Sequence, residues 1–275
     1  MKILKVVTVA MFSVQVTGLI FFSEFLIAGG GYFYPGDAVI YLAASFSPLP
    51  YAISAADKGK LKIKYHQKST KEHFMNNIVY TYGNKIYLNI TNACPCNCEF
   101  CVRNNTDGLG DMGSLWLEHE PSFDEIREAI DSFDFTGYTD VVFCGFGEPT
   151  CALEKLLKTA EYIKQTKNIK IRLNTNGLSD LINRTDNSAE RMAGLIDAVS
   201  ISLNASDAEK YEKIVKPSFG LKSFDAMIKF TKDAQKYIPS VKMTVVDTIG
   251  EEEIEKCKKL CEDNNIELRV RTYIS

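Results

Sequence analysis

Thr91-Asn92-Ala93-Cys94-Pro95-Cys96-Asn97-Cys98-Glu99-Phe100-Cys101 gathers four of the chain's eight cysteines into one short stretch. Cys94, Cys98 and Cys101 stand in a C-x3-C-x2-C spacing. Directly before them runs a β-like segment, 85–91, in which Ile86, Leu88 and Ile90 alternate with Tyr87, Asn89 and Thr91. A loop at the carboxyl end of a strand is where α/β and barrel proteins place active sites. Three soft thiolates in such a loop suit an iron–sulfur cluster. A triplet leaves one iron without a cysteine ligand, so the centre is expected to react as well as carry electrons. Structural zinc is the competing reading. It usually takes four ligands as two spaced pairs, and no second C-x-x-C exists here. Cys96 is a sterically awkward fourth ligand, crowded between Cys94 and Cys98 in the same short loop. Cys144, Cys151, Cys257 and Cys261 receive no functional role; the last two share an apolar helical face with Ile254.

Outward from this loop, β-like runs recur at 140–145, 169–175, 198–204, 241–247 and 267–273, with amphipathic segments between them. In the first such segment Phe123, Ile126, Ile130 and Phe133 share a face, and Ser122 with Glu125 forms a capping box. In the second, Leu153, Leu156, Leu157, Ala160 and Ile163 do the same. Strand–helix alternation predicts an α/β fold with a parallel sheet and helices packed outside. Six units fall short of a closed eight-unit barrel, so an open barrel and a doubly wound sheet both fit. Buried parallel strands are normally apolar on both faces. Here Ile171 and Leu173 alternate with Arg172 and Asn174, and Val199, Ile201 and Leu203 alternate with Ser200, Ser202 and Asn204. The apolar parity is expected to meet the helices, and the polar parity to line a cavity; a wet sheet edge is the alternative.

The second run ends Cys144-Gly145-Phe146-Gly147-Glu148-Pro149-Thr150. Together with the cysteine triplet and Phe100 before its last member, this resembles the radical S-adenosylmethionine (SAM) superfamily, whose glycine-glycine-glutamate motif has Phe146 in place of one glycine. The resemblance implies a partial (β/α)6 barrel over roughly residues 75–275, with a 4Fe-4S cluster and SAM as cofactors. It implies one-electron cleavage of SAM to methionine and a 5′-deoxyadenosyl radical, which takes a hydrogen from substrate. By position it makes Cys94, Cys98 and Cys101 the iron ligands and puts Phe100 by the adenine. Gly145, Phe146, Gly147 and Glu148 fall at the methionyl end, and Ser202 and Asn204 at the ribose or carboxylate.

The phrases CPCNCEFCVRN, LWLEHEPS, VVFCGFGEPT, RLNTNGLSDLINR, AVSISLNA and TVVDTI also resemble the TatD-linked radical SAM subgroup. That subgroup is similar to queuine lyases, which free queuine from queuosine 5′-phosphate. The resemblance implies a small-molecule nucleotide substrate and an external electron donor of the flavodoxin or ferredoxin class. A phosphate calls for cationic contacts. Arg103, Arg172 and Arg271 are the candidates, with Arg269 on the parity of Arg271 and with Asn89 and Asn174 as polar neighbours. Segment 104–120 carries three glycines and Trp116 and suits a lid; Glu118 and His119 in it are candidate proton donors or base contacts. His66 and His73 receive no role. The alternatives are radical SAM chemistry on another small molecule or a peptide, and a non-enzymatic electron-transfer or uptake component.

Composition divides the chain. Overall it is 45% hydrophobic and 24% charged with net charge −3, which excludes a disordered tail and a basic surface that coats nucleic acid. Yet residues 6–56 hold only two charges, Glu24 and Asp37. Residues 6–23 are uncharged over a length near that of a bilayer span, and lysines flank the whole stretch. That predicts a membrane-associated helical hairpin over 1–56, a basic linker over 57–75 and a catalytic core over 76–275. The core is then cytoplasmic and tethered to the membrane. A signal peptide and a buried helical pair are the alternatives. YFYPGDAVIYLAASFSPLPYAISAA resembles the early part of the substrate-binding membrane subunits of vitamin-type (ECF) uptake transporters, which implies a truncated transporter-like piece.

Overall fold

The computed structural model describes residues 77–105 and 114–272, together with five short strands ahead of them. The chain divides into two compact units, residues 1–67 and 68–275. In the first, β1 (Val9–Ser13) pairs antiparallel with β2 (Val16–Ile20). β3 (Val39–Leu42), β4 (Tyr51–Ala55) and β5 (Leu61–Lys64) form a separate antiparallel sheet. The helical hairpin expected over 1–56 is thus corrected: its described parts are strands. Their residues explain the change, since Val9, Val16, Thr17, Val39, Ile40, Tyr41, Tyr51 and Ile53 are branched or aromatic and favour a pleated backbone. An apolar run without clear period does not distinguish the two states. Among the described residues no helix is long and apolar enough to cross a membrane. Most of the 57–75 linker, with His66 and His73, lies outside the described residues.

The second unit holds one seven-stranded sheet whose spatial order follows the chain: β6 (Val79–Tyr82), β7 (Lys85–Leu88), β8 (Asp140–Phe143), β9 (Lys170–Thr175), β10 (Ala198–Ser202), β11 (Ser240–Val246) and β12 (Glu267–Arg271). β7 to β12 pair in parallel, each on one of the six expected runs. β6 is an addition, joined antiparallel to β7 through Gly83 at φ 59°. Helices α1 (Val102–Asn105), α2 (Phe123–Ser132), α3 (Leu153–Thr166), α4 (Ser179–Asn183), α5 (Ser188–Arg191), α6 (Ala208–Val215), α7 (Lys222–Tyr237) and α8 (Glu251–Asp263) fill the connections. The capping box of α2 forms: the Glu125 N–H donates to Ser122 Oγ at 3.3 Å, and the Ser122 N–H donates to Glu125 Oε2 at 2.7 Å.

Side-chain parity then sets the layers. Ile86, Leu88, Ile171, Leu173, Val199 and Ile201 are fully buried in one core with Ile126, Leu156, Ile163, Met227 and Phe230 of the helices. Cys257 and Cys261 are buried there as small hydrophobes. The opposite parity, Tyr87, Arg172, Asn174, Ser200 and Ser202, lines a single cavity with Thr244, Arg269 and Arg271. Side chains from β7 through β12 can share one cavity only if the sheet curls around it. Pairing runs from β12 to β6 without joining these two ends, so the curl is an open barrel.

Candidate active site

The cysteine loop leaves β7 and is fastened from below by α6 and the turn after it. The Asn97 N–H donates to Val215 O at 3.1 Å, the Glu99 N–H to Ile214 O at 3.1 Å, and the Ser218 N–H to Pro95 O at 2.8 Å. Cys96 pairs with Pro217 as an isolated antiparallel bridge. From the other side Arg103 donates to Cys96 O at 2.8 Å, putting a fixed positive charge beside the thiols. Cys94, Cys98 and Cys101 are half-buried, whereas Cys96 is fully buried. The hydrogen bond between the Cys94 and Cys96 thiols lowers the Cys94 pKa and raises that of Cys96. Burial first, then the charge of Cys101, pushes the Cys98 thiol up to about 12.

The Gly145–Glu148 turn is wedged against this loop. The Glu148 N–H donates to Ala93 O at 2.8 Å. A Cβ at Gly147 would fall 2.1 Å from Thr91 O, and one at Gly145 would fall 2.0 Å from Asn89 Oδ1. Both glycines are therefore required by the chain's own close approach, before any ligand is considered. Glu148 is buried, and both its oxygens are engaged. Oε1 accepts from Thr150 N–H (3.1 Å), Thr150 Oγ (2.7 Å) and Thr175 Oγ (2.7 Å), and Oε2 accepts from Asn176 N–H (2.7 Å). Burial pushes its pKa above the ordinary carboxylate value, with these hydrogen bonds pulling the other way. Its carboxylate thus joins the β8 turn to the end of β9.

The cavity, about 360 Å³, is enclosed by the polar parity of the sheet and the β6–β7 turn. Among the described residues its walls carry Lys85, Arg172, Arg269 and Arg271 and no carboxylate. Arg172 Nη2 donates to Ser200 Oγ at 3.4 Å. Of the residues picked from sequence, Arg172, Asn174, Arg271 and Ser202 meet here. Tyr87 joins them as the polar parity of its strand predicts, whereas Lys85, Tyr82 and Thr244 were not singled out, and the hairpin that brings Tyr82 was not anticipated.

Other selected residues lie elsewhere. Asn89 is buried and donates to Leu115 O at 2.7 Å. Asn204 is buried at φ 63°. Phe146 packs with Tyr80 and Leu115, its ring edge-on to Trp116 at 5.1 Å. Phe100 is half-buried within the cysteine loop. Glu118 and His119 are exposed, and His119 Nε2 lies 2.9 Å from Glu125 Oε1 at the start of α2. Of the expected lid, 106–113 lie outside the described residues. Its 114–120 half is pinned by Asn77 and Asn92, which donate to Trp116 O at 3.1 Å and Leu117 O at 2.7 Å.

Among the described residues no set of three His, Cys, Asp or Glu side chains is gathered for a single metal ion. A cluster spaces its ligands more widely than an ion does. Three half-buried thiols on one loop, beside an arginine and free of disulfides, fit that group in donor chemistry.

The chain matches the Radical SAM superfamily over residues 88–261. Among solved structures it is similar to native anSMEcpe with bound AdoMet and Cp18Cys peptide, at 20% identity and TM-score 0.51, covering 70% of this chain and 52% of that one. It is also similar to native anSMEcpe with bound AdoMet, at 18% and 0.50, covering 69% and 51%. The FeFe-hydrogenase maturase HydG from Carboxydothermus hydrogenoformans gives 18% and 0.50, covering 74% and 48%. The likeness is one of fold, and the chain spans about half the length of these proteins. No curated protein matches it.

Proposed function

The chain belongs to the radical SAM superfamily, and from that premise we propose that it is a lyase releasing queuine from queuosine 5′-phosphate. Its cofactors are a 4Fe-4S cluster and SAM. When bound and reduced by one electron from a flavodoxin- or ferredoxin-class donor, they supply a carbon-centred oxidant that takes a hydrogen atom from substrate. Cys94, Cys98 and Cys101 would hold the cluster, with Cys96 turned into the core behind them. The Gly145–Glu148 turn, wedged against the cysteine loop, fixes that loop in place. Inside, Asn174, Ser200 and Ser202 offer hydrogen bonds to a sugar or base.

The observation that carries the substrate class is the cavity's charge: Lys85, Arg172, Arg269 and Arg271, with no carboxylate among its described walls. Such a cavity favours an anion, and the arginine fork suits a phosphate. The choice of queuosine 5′-phosphate rests on the sequence phrases quoted above. Anaerobically reconstituted protein, given dithionite, SAM and queuosine 5′-phosphate, should release queuine. Arg271→Gln should raise KM for the phosphate about tenfold, the loss expected for roughly 1.4 kcal/mol of charged hydrogen bonding. Intact nucleotide after complete SAM cleavage would overturn the substrate, and a modified peptide or other product would replace it.

A further inference from the structure

Tyr211 has no part in the scheme above. It lies on α6, 1% exposed, one turn before the equally buried Val215. This is the helix whose Ile214 and Val215 carbonyls hold the cysteine loop from below. Phe224 fixes its ring edge-on, with centroids 5.8 Å apart. The Tyr211 hydroxyl is buried and has no hydrogen-bond partner among the described residues. Native structures seldom leave such a group unpaired, and each case calls for an account. Burial weighs first on this hydroxyl, and the ionisable groups that bear on it are those of the cysteine loop, Cys96, Cys98 and Cys94, with Glu148. The Cys96 sulfur already accepts from Asn176 Nδ2 at 3.6 Å.

We propose that the Tyr211 hydroxyl is a positioning and tuning group for the iron–sulfur cluster, donating a hydrogen bond to cluster sulfur on the Cys98 side. Hydrogen bonds to sulfur stabilise the more negative, reduced cluster and raise its potential. Tyr211 therefore sets how readily the cluster accepts the electron that starts the reaction. The proposal rests on the cysteine triplet as cluster ligands, and not on the identity of the substrate.

Tyr211→Phe keeps the ring and removes only the oxygen. In the reconstituted protein the reduction equilibrium should fall about tenfold, a midpoint about 59 mV more negative for one electron, with iron content unchanged. The cluster-free variant should be at least as heat-stable as the unaltered protein, because its orphaned hydroxyl is gone. An unchanged potential with a full cluster overturns the proposal. A second reading needs no variant: the reduced cluster of the unaltered protein should show a solvent-exchangeable proton coupling by electron–nuclear double resonance, and its absence overturns the proposal equally. Failure to release queuine leaves both readouts untouched. A protein that takes up no iron at the triplet removes the basis of this proposal and of the cofactor placement together.

Discussion

Glu148 and Glu125 each accept from backbone near a helix start, and folding moves them in opposite directions. Burial drives Glu148 upward, so its ionised form costs stability that is recovered as pH falls through its folded value. The Ser122 backbone N–H, then the Ser122 hydroxyl and His119, hold half-buried Glu125 down at about 2. A depressed carboxylate contributes stability above its unfolded value, near 4.3, and loses it as pH falls toward 2. Glu125→Gln should therefore flatten the decline in unfolding free energy across that window. Solvent screening keeps the difference under about 1 kcal/mol; a slope unchanged in urea titrations at pH 5 and pH 2.5 would count against the assignment. Glu125 and its cap were legible in the sequence because they lie three residues apart. The partners of Glu148 were not, since Thr175 and Asn176 reach it from the next strand.

At the scale of elements, the two glycines of the β8 turn make different demands. A Cβ at Gly147 meets the Thr91 and Ala93 carbonyl oxygens, which are backbone, whereas one at Gly145 meets the Asn89 side chain. Gly147→Ala should cost about 1–3 kcal/mol as overpacking and lower iron uptake; Gly145→Ala should do less of both. Calorimetry with iron analysis decides, and a reversed order would mean that the loop yields more easily than Asn89. The six parallel strands were readable because alternating parity survives wherever one face is apolar and the other polar, as at Ile171 to Asn174. β6 escaped notice although Val79-Tyr80-Thr81-Tyr82 before Gly83-Asn84 is a fair hairpin signal. The apolar front was misjudged because residues such as Val39, Ile40 and Tyr41 are hydrophobic enough for a buried helix and branched or aromatic enough for a strand.

For the whole molecule, the divide at residues 67 and 68 gives a direct expectation. Protein beginning at Lys68 should keep its cluster absorbance and an unfolding midpoint within about 4 °C of the full chain, the shift that roughly 1 kcal/mol produces at this size. Loss of a cooperative transition would show that the core needs what precedes it. The cavity is the property least readable along the chain. Its cations come from Lys85, Arg172, Arg269 and Arg271, and only the curl of the sheet brings the lysine of β7 within reach of the arginines of β12.

That last strand also borders the sheet. β12 pairs only with β11 among the described residues, and Glu267, Arg269, Val270 and Arg271 are exposed along it. A bare edge invites another chain to add a strand, and charged side chains deter it. Arg269 and Arg271 thus guard against self-association as well as facing the cavity. Replacing both with apolar residues would confound lost catalysis with fibrillar aggregation, while exchange to lysine would keep the guard and remove only the fork.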